Sequence, residues 1–78
     1  MDLKSLLEAI VQGLVDRPEE VRISEHAKDS ATVLELRVAR TDIGKVIGKD
    51  GRTAQSIRTV LSAAGARDQR KVHLDIVD

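Results

Sequence analysis

Gly48 and Gly51 enclose Lys49 and Asp50, and Arg52 follows directly. Glycine at both ends of a short turn removes side chains that would hold a phosphate away, and it admits backbone conformations that other residues avoid. The residues on either side of the turn read as helix. Such a junction presents the unpaired N–H groups and the positive dipole end of the second helix. Lys49 and Arg52 add charge at the same place, so the chemistry on offer is anion binding suited to a sugar–phosphate backbone. A tight turn between helices with no ligand at all uses the same glycines equally well.

Three related motifs fit less well. A nucleotide P-loop requires G-x-x-x-x-G-K-[ST]; Gly44 to Gly48 is one residue short, and Asp50 stands where the magnesium-binding hydroxyl belongs. A dinucleotide fingerprint needs its glycines directly after a strand, and the spacing G-x-x-x-G-x-x-G differs from it. A helix-turn-helix shares the plan of two helices and a short glycine turn. Its second helix would expose Thr53, Gln55, Ser56 and Arg58, a modest set for reading bases.

The formal net charge is zero, yet the charges are segregated. Residues 1–36 hold four basic and eight acidic side chains, a balance of −4. Residues 37–58 hold Arg37, Arg40, Lys45, Lys49, Arg52 and Arg58 against Asp42 and Asp50, a balance of +4. The remaining residues carry three of each sign, so the positive charge gathers around the glycine turn.

The elements that position the turn follow from periodicity. Leu3, Leu6, Leu7, Ile10, Val11 and Leu14 recur at helical spacing, with Asp2 as N-cap and Asp16-Arg17-Pro18 as the stop. These leucines serve a core or a dimer seam. Val21 and Ile23 suggest a short strand, followed by a polar loop from His26 to Ser30. Thr32 to Ala39 alternates as a strand, with Leu34, Leu36 and Val38 on one face. A short helix from Asp42 to Ile47, capped by Thr41 or Asp42, ends at Gly48. A longer helix runs from Gly51 to about Ala64; Ala54, Ile57, Leu61 and Ala64 mark its buried face and Gly65 is its C′ residue. Val72, Leu74 and Ile76 mark a last strand. The order αββααβ describes a single α+β domain over residues 1–78.

Strand, short helix, I-G-K-D-G, longer helix and strand together resemble a KH domain. The added leading helix and strand match the type II arrangement, which implies a three-stranded sheet packed against three helices. The run Gly44-Lys45-Val46-Ile47-Gly48-Lys49-Asp50-Gly51-Arg52-Thr53-Ala54, with Ser56-Ile57-Arg58 after it, is most similar to the KhpA family of small bacterial RNA-binding proteins. The resemblance implies that Gly48, Lys49, Asp50 and Gly51 clamp the backbone of about four nucleotides. It places bases in an aliphatic groove floored by Ile43, Val46, Ile47 and Ile57, residues of a kind that also serve the core. Arg40, Lys45, Arg52 and Arg58 are candidates for flanking phosphates, or else solvated surface. Asp50 opposes a phosphate and is expected to cap the second helix and point away. His26 is either a groove wall or a plain surface histidine, and His73 is expected to be exposed.

Composition narrows the rest. With no Phe, Tyr or Trp the chain cannot stack bases on rings as RRM and OB-fold proteins do. It has no cysteine, and two distant histidines make no zinc set. No cofactor, metal site or catalytic set is expected, and an enzyme is disfavoured. No segment approaches the roughly 20 apolar residues of a membrane span. The N-terminal residues do not read as a signal peptide, so a cytoplasmic protein is expected. Single-stranded RNA is the expected ligand, with chaperone or post-transcriptional regulatory roles. The resemblance further implies a homodimer and pairing with a larger KhpB/Jag-type KH protein linked to cell elongation and division. A module used only for protein assembly is the competing reading.

Overall fold

The computed structural model describes residues 2–77. Its elements are α1 (Leu3–Gln12), β1 (Arg22–Lys28), β2 (Ala31–Arg37), α2 (Ile43–Ile47), α3 (Arg52–Ala66) and β3 (Lys71–Val77). The architecture is the α+β, αββααβ arrangement of a KH domain. Three-residue 3-10 turns at Pro18–Glu20, Arg40–Asp42 and Lys49–Gly51 connect the elements.

The Asp2 carboxylate accepts from the Ser5 backbone N–H at 2.7 Å, capping α1. Leu7 and Val11 are fully buried from this helix. The helix stops at Gln12, earlier than the apolar period suggests, because Gly13 is a poor helix former. Leu14 therefore lies beyond the helix and is 37% exposed.

β2 is the central strand, antiparallel to β1 and parallel to β3. Thr32, Leu34 and Leu36 face inward and are buried, and Leu34 is level with Leu74 of β3. A parallel pair needs a crossover, and α2, the glycine turn and α3 supply it. The core is wholly aliphatic: Leu7, Val11, Leu34, Leu36, Val46, Ile57, Leu61 and Leu74.

Two boundaries differ from the sequence reading. His26, Ala27 and Lys28 belong to β1, and the loop shrinks to Asp29 and Ser30, with Asp29 at φ 53°. A two-residue hairpin needs positive φ, which Asp tolerates; β1 lacks apolar alternation because Ile23 near its start packs against the core, with Val21 just before the strand. His26 Nε2 lies 2.9 Å from Glu35 Oε1 on the open sheet face. At the other boundary, α3 continues through Gly65, which is buried where Ala64 was expected to be. A Cβ there would lie 2.5 Å from Val72 Cγ2 and 3.0 Å from the Arg70 carbonyl oxygen. Gly65 thus permits close helix–strand approach, and the chain reverses later, at Gln69 with φ 56°.

Candidate nucleic-acid interface

α2 ends where Gly48 takes φ 77°, ψ 173°, a region open essentially to glycine alone. The Gly48 N–H still donates to the Gly44 carbonyl at 2.8 Å. A Cβ on Gly48 would collide with the Thr53 side chain, which packs against the turn from the first turn of α3. Asp50 and Gly51 follow in the left-handed region, at φ 58° and φ 74°. Around Gly51 there is nothing within 4 Å of a Cβ position, so the turn is open on that side. The two glycines therefore answer to different needs: Gly48 to its own backbone and to Thr53, Gly51 to its φ and to free space.

Asp50 does not cap α3. The N-cap is Gly51, which makes no side-chain cap hydrogen bond. A capping carboxylate needs extended backbone, whereas Asp50 is left-handed. Among the described residues no side-chain acceptor caps the α3 N-terminus, the condition in which an external anion is favoured.

The cations differ in what they do. Among the described residues no ion pair or side-chain hydrogen bond engages Arg40, Lys49 or Arg52, and all three are exposed. Lys45 instead turns toward the connection after α1, with Nζ 2.7 Å from Asp16 Oδ2 and 3.5 Å from Asp42 Oδ1. The hydrogen bond to Asp16 raises the Lys45 pKa above the ordinary lysine value, against the opposing effect of burial. The Arg58 guanidinium donates to the Leu74 carbonyl on the edge of β3, at 3.3 Å. The +4 balance read from the sequence is therefore partly satisfied inside the domain.

Of the four aliphatic candidates, Ile47 is 38% exposed beside the turn and Ile43 is half-buried. Val46 and Ile57 belong to the core, at 0% and 3% exposure, and lie beneath the surface. An apolar groove of about 260 Å³ does exist, but it runs between the end of α1 and α3. Ile10, Leu14, Thr53, Ser56, Ile57 and Val60 line it, so only Ile57 is shared with the expected floor. No group of three or more potential metal ligands occurs among the described residues.

Two residues have roles that the sequence does not assign them. Thr41 or Asp42 is the cap the sequence offers for α2; the Asp42 carboxylate caps nothing there and is fully buried, accepting from the backbone N–H groups of Asp16 (3.2 Å) and Arg17 (3.0 Å). Burial pushes its pKa up, but those two hydrogen bonds and Lys45 outweigh it and hold the carboxyl below the usual range. Thr53, by sequence an exposed residue of the second helix in the helix-turn-helix alternative, instead packs against Gly48.

The family model "KhpA/KhpB, KH domain" matches residues 4–76. The chain belongs to the KhpA/KhpB family of KH domains. Its relatives include the RNA-binding protein KhpA of Halalkalibacterium halodurans, 49% identical over 76 residues, covering 97% of this chain and 100% of that protein. The RNA-binding protein KhpA of Clostridium acetobutylicum is 48% identical over 75 residues, covering 96% and 100% respectively. That of Chlamydia muridarum is 49% identical over 76 residues, covering 97% of each chain. No solved structure matches. Among the described residues no helix is long and apolar enough to cross a membrane.

Proposed function

We propose that this KH domain binds single-stranded RNA by clasping the backbone of about four nucleotides at Gly48, Lys49, Asp50 and Gly51. The observation that carries the reading is the turn itself: open at Gly51, uncapped at the start of α3, and flanked by Lys49 and Arg52, which have no side-chain partner among the described residues. The relatives' name, RNA-binding protein KhpA, supports it. Ile47 and Ile43 give bases an aliphatic contact, while Val46 and Ile57 stiffen that surface from below. Arg40 joins Lys49 and Arg52 in neutralising phosphates, and Lys45 and Arg58 contribute after release from their internal partners. Asp50 keeps the grip weaker than a turn with two basic residues. Lys49→Asp should abolish most binding of a short unstructured RNA while leaving the fold intact; unchanged binding would refute the grip. Affinity should fall with salt at a log–log slope of about −0.7 per neutralised phosphate.

A weak single site suits a cytoplasmic RNA chaperone or post-transcriptional regulator that works in pairs, since linkage raises effective concentration. The apolar groove between α1 and α3, with Leu14 and Val60 37% and 45% exposed, supports self-association as a homodimer. It equally supports the assembly reading, in which a larger KhpB/Jag-type protein of the same family is the partner in cell elongation and division. Val60→Glu should shift sedimentation toward the monomer. A partner captured after nuclease treatment would favour assembly over shared RNA.

A further inference from the structure

α2 has five residues, too few to be stable alone, so its direction must come from tertiary anchors. It carries the Gly48–Gly51 turn at its C-terminal end. Val46 anchors its middle by full burial. At its N-terminal end stands Asp42, whose carboxylate reaches 26 and 25 positions back along the chain to the N–H groups of Asp16 and Arg17. Lys45 closes the cluster by pairing with both Asp16 and Asp42. One buried carboxylate thus ties the connection after α1 to the helix that aims the turn.

We infer that Asp42 is a positioning residue for the Gly48–Gly51 turn, fixing the direction in which α2 presents it to RNA; the inference rests on the RNA-grip reading above. The sign of the effect separates positioning from simple charge. Asp42 is an anion in a domain proposed to grip phosphates, so a pure charge effect would make Asp42→Asn bind RNA more tightly. Positioning demands the opposite. Asn keeps the size but turns one oxygen into an NH2 group that faces an N–H donor, so one of the two backbone ties is lost.

The test compares Asp42→Asn and Arg70→Lys in the 78-residue chain by anisotropy with a short oligouridylate, each corrected to the same folded fraction. Arg70 donates to Thr32 Oγ1 and to the carbonyls of Asp29 and Ala31, tying the β1–β2 turn instead of α2, so its loss controls for stability alone. The expected result is about fivefold weaker binding by Asp42→Asn, in the range that changes acting through a packed network produce. Its Gly48, Lys49 and Gly51 amide resonances should shift, while Arg70→Lys binds as the parent does. Unchanged or tighter binding by folded Asp42→Asn overturns the inference. If Asp42→Asn does not fold, hydrogen exchange in the unaltered protein decides: the Asp16, Arg17 and Gly48 amides should open together, and independent opening overturns the inference. If Lys49→Asp leaves RNA binding intact, the grip reading fails by itself. The amide shifts in Asp42→Asn then decide the positioning without RNA.

Discussion

Gly48 and Gly51 have nearly the same φ, 77° and 74°, yet their replacement should cost very different amounts. At Gly48 the ψ of 173° puts the backbone where side chains are essentially absent, a strain of about 1–3 kcal/mol. The added Cβ also collides with Thr53, and overpacking adds about 1–3 kcal/mol. Gly48→Asn should therefore lose about 3 kcal/mol or more, since neither contribution is relieved by a polar side chain. Gly51, with ψ 11°, is ordinary left-handed backbone that Asn tolerates, and its Cβ meets open space. Gly51→Asn should lose about 1 kcal/mol or less. With a urea m-value of about 1 kcal/mol/M for so small a domain, the midpoints should fall by about 3 M or more for Gly48→Asn and by about 1 M or less for Gly51→Asn. Far-UV circular dichroism is the assay, because the chain has no Trp or Tyr to report by fluorescence. Equal losses from the two variants, or a neutral Gly48→Asn, would refute the assignment of different roles to the two glycines.

Gly65→Ala improves intrinsic helix propensity yet should destabilise by about 1–3 kcal/mol, because its Cβ meets Val72 and the Arg70 carbonyl. Adding Val72→Ala removes the nearer clash, so the second change should cost less in that background than alone; strict additivity in denaturant melts would count against the contact. The Asp42 pKa is lowered in the folded state, so this carboxylate binds fewer protons folded than unfolded. Its contribution is complete above the ordinary carboxylate pKa and is lost as pH falls through the folded value. Asp2, lowered by its Ser5 hydrogen bonds, acts in the same direction. Between about pH 6 and about pH 3 the urea midpoint of Asp42→Asn should change less than that of the parent. Parallel pH profiles would contradict the assignment.

Much was legible along the chain because local chemistry decided it. The helical spacing from Leu3 to Val11, the alternation of Leu34 with Leu36 and of Val72 with Leu74 and Ile76, and the glycine turn all survive as read. Each is a pattern of residues near in sequence, and its period reports the element directly. The aliphatic character of the core followed from the missing aromatics, and the two helices meeting at Gly48–Gly51 followed from glycine's backbone freedom. Pairing and proximity over distance were decided by the tertiary structure. His26 to Lys28 became strand because β2 offered an edge to pair with, although their own composition is polar. Gly65 became an interior helix residue because Val72 packs against it. Lys45, a candidate phosphate contact or solvated residue by sequence, pairs with Asp16, 29 positions away, and Asp42, one of two candidate caps for α2, accepts from the Asp16 and Arg17 N–H groups, 26 and 25 positions away. The candidate RNA grip was therefore visible in sequence as a turn with charge beside it. Which cations remain unpaired there, and what aims the turn, depended on contacts between residues that no local pattern links.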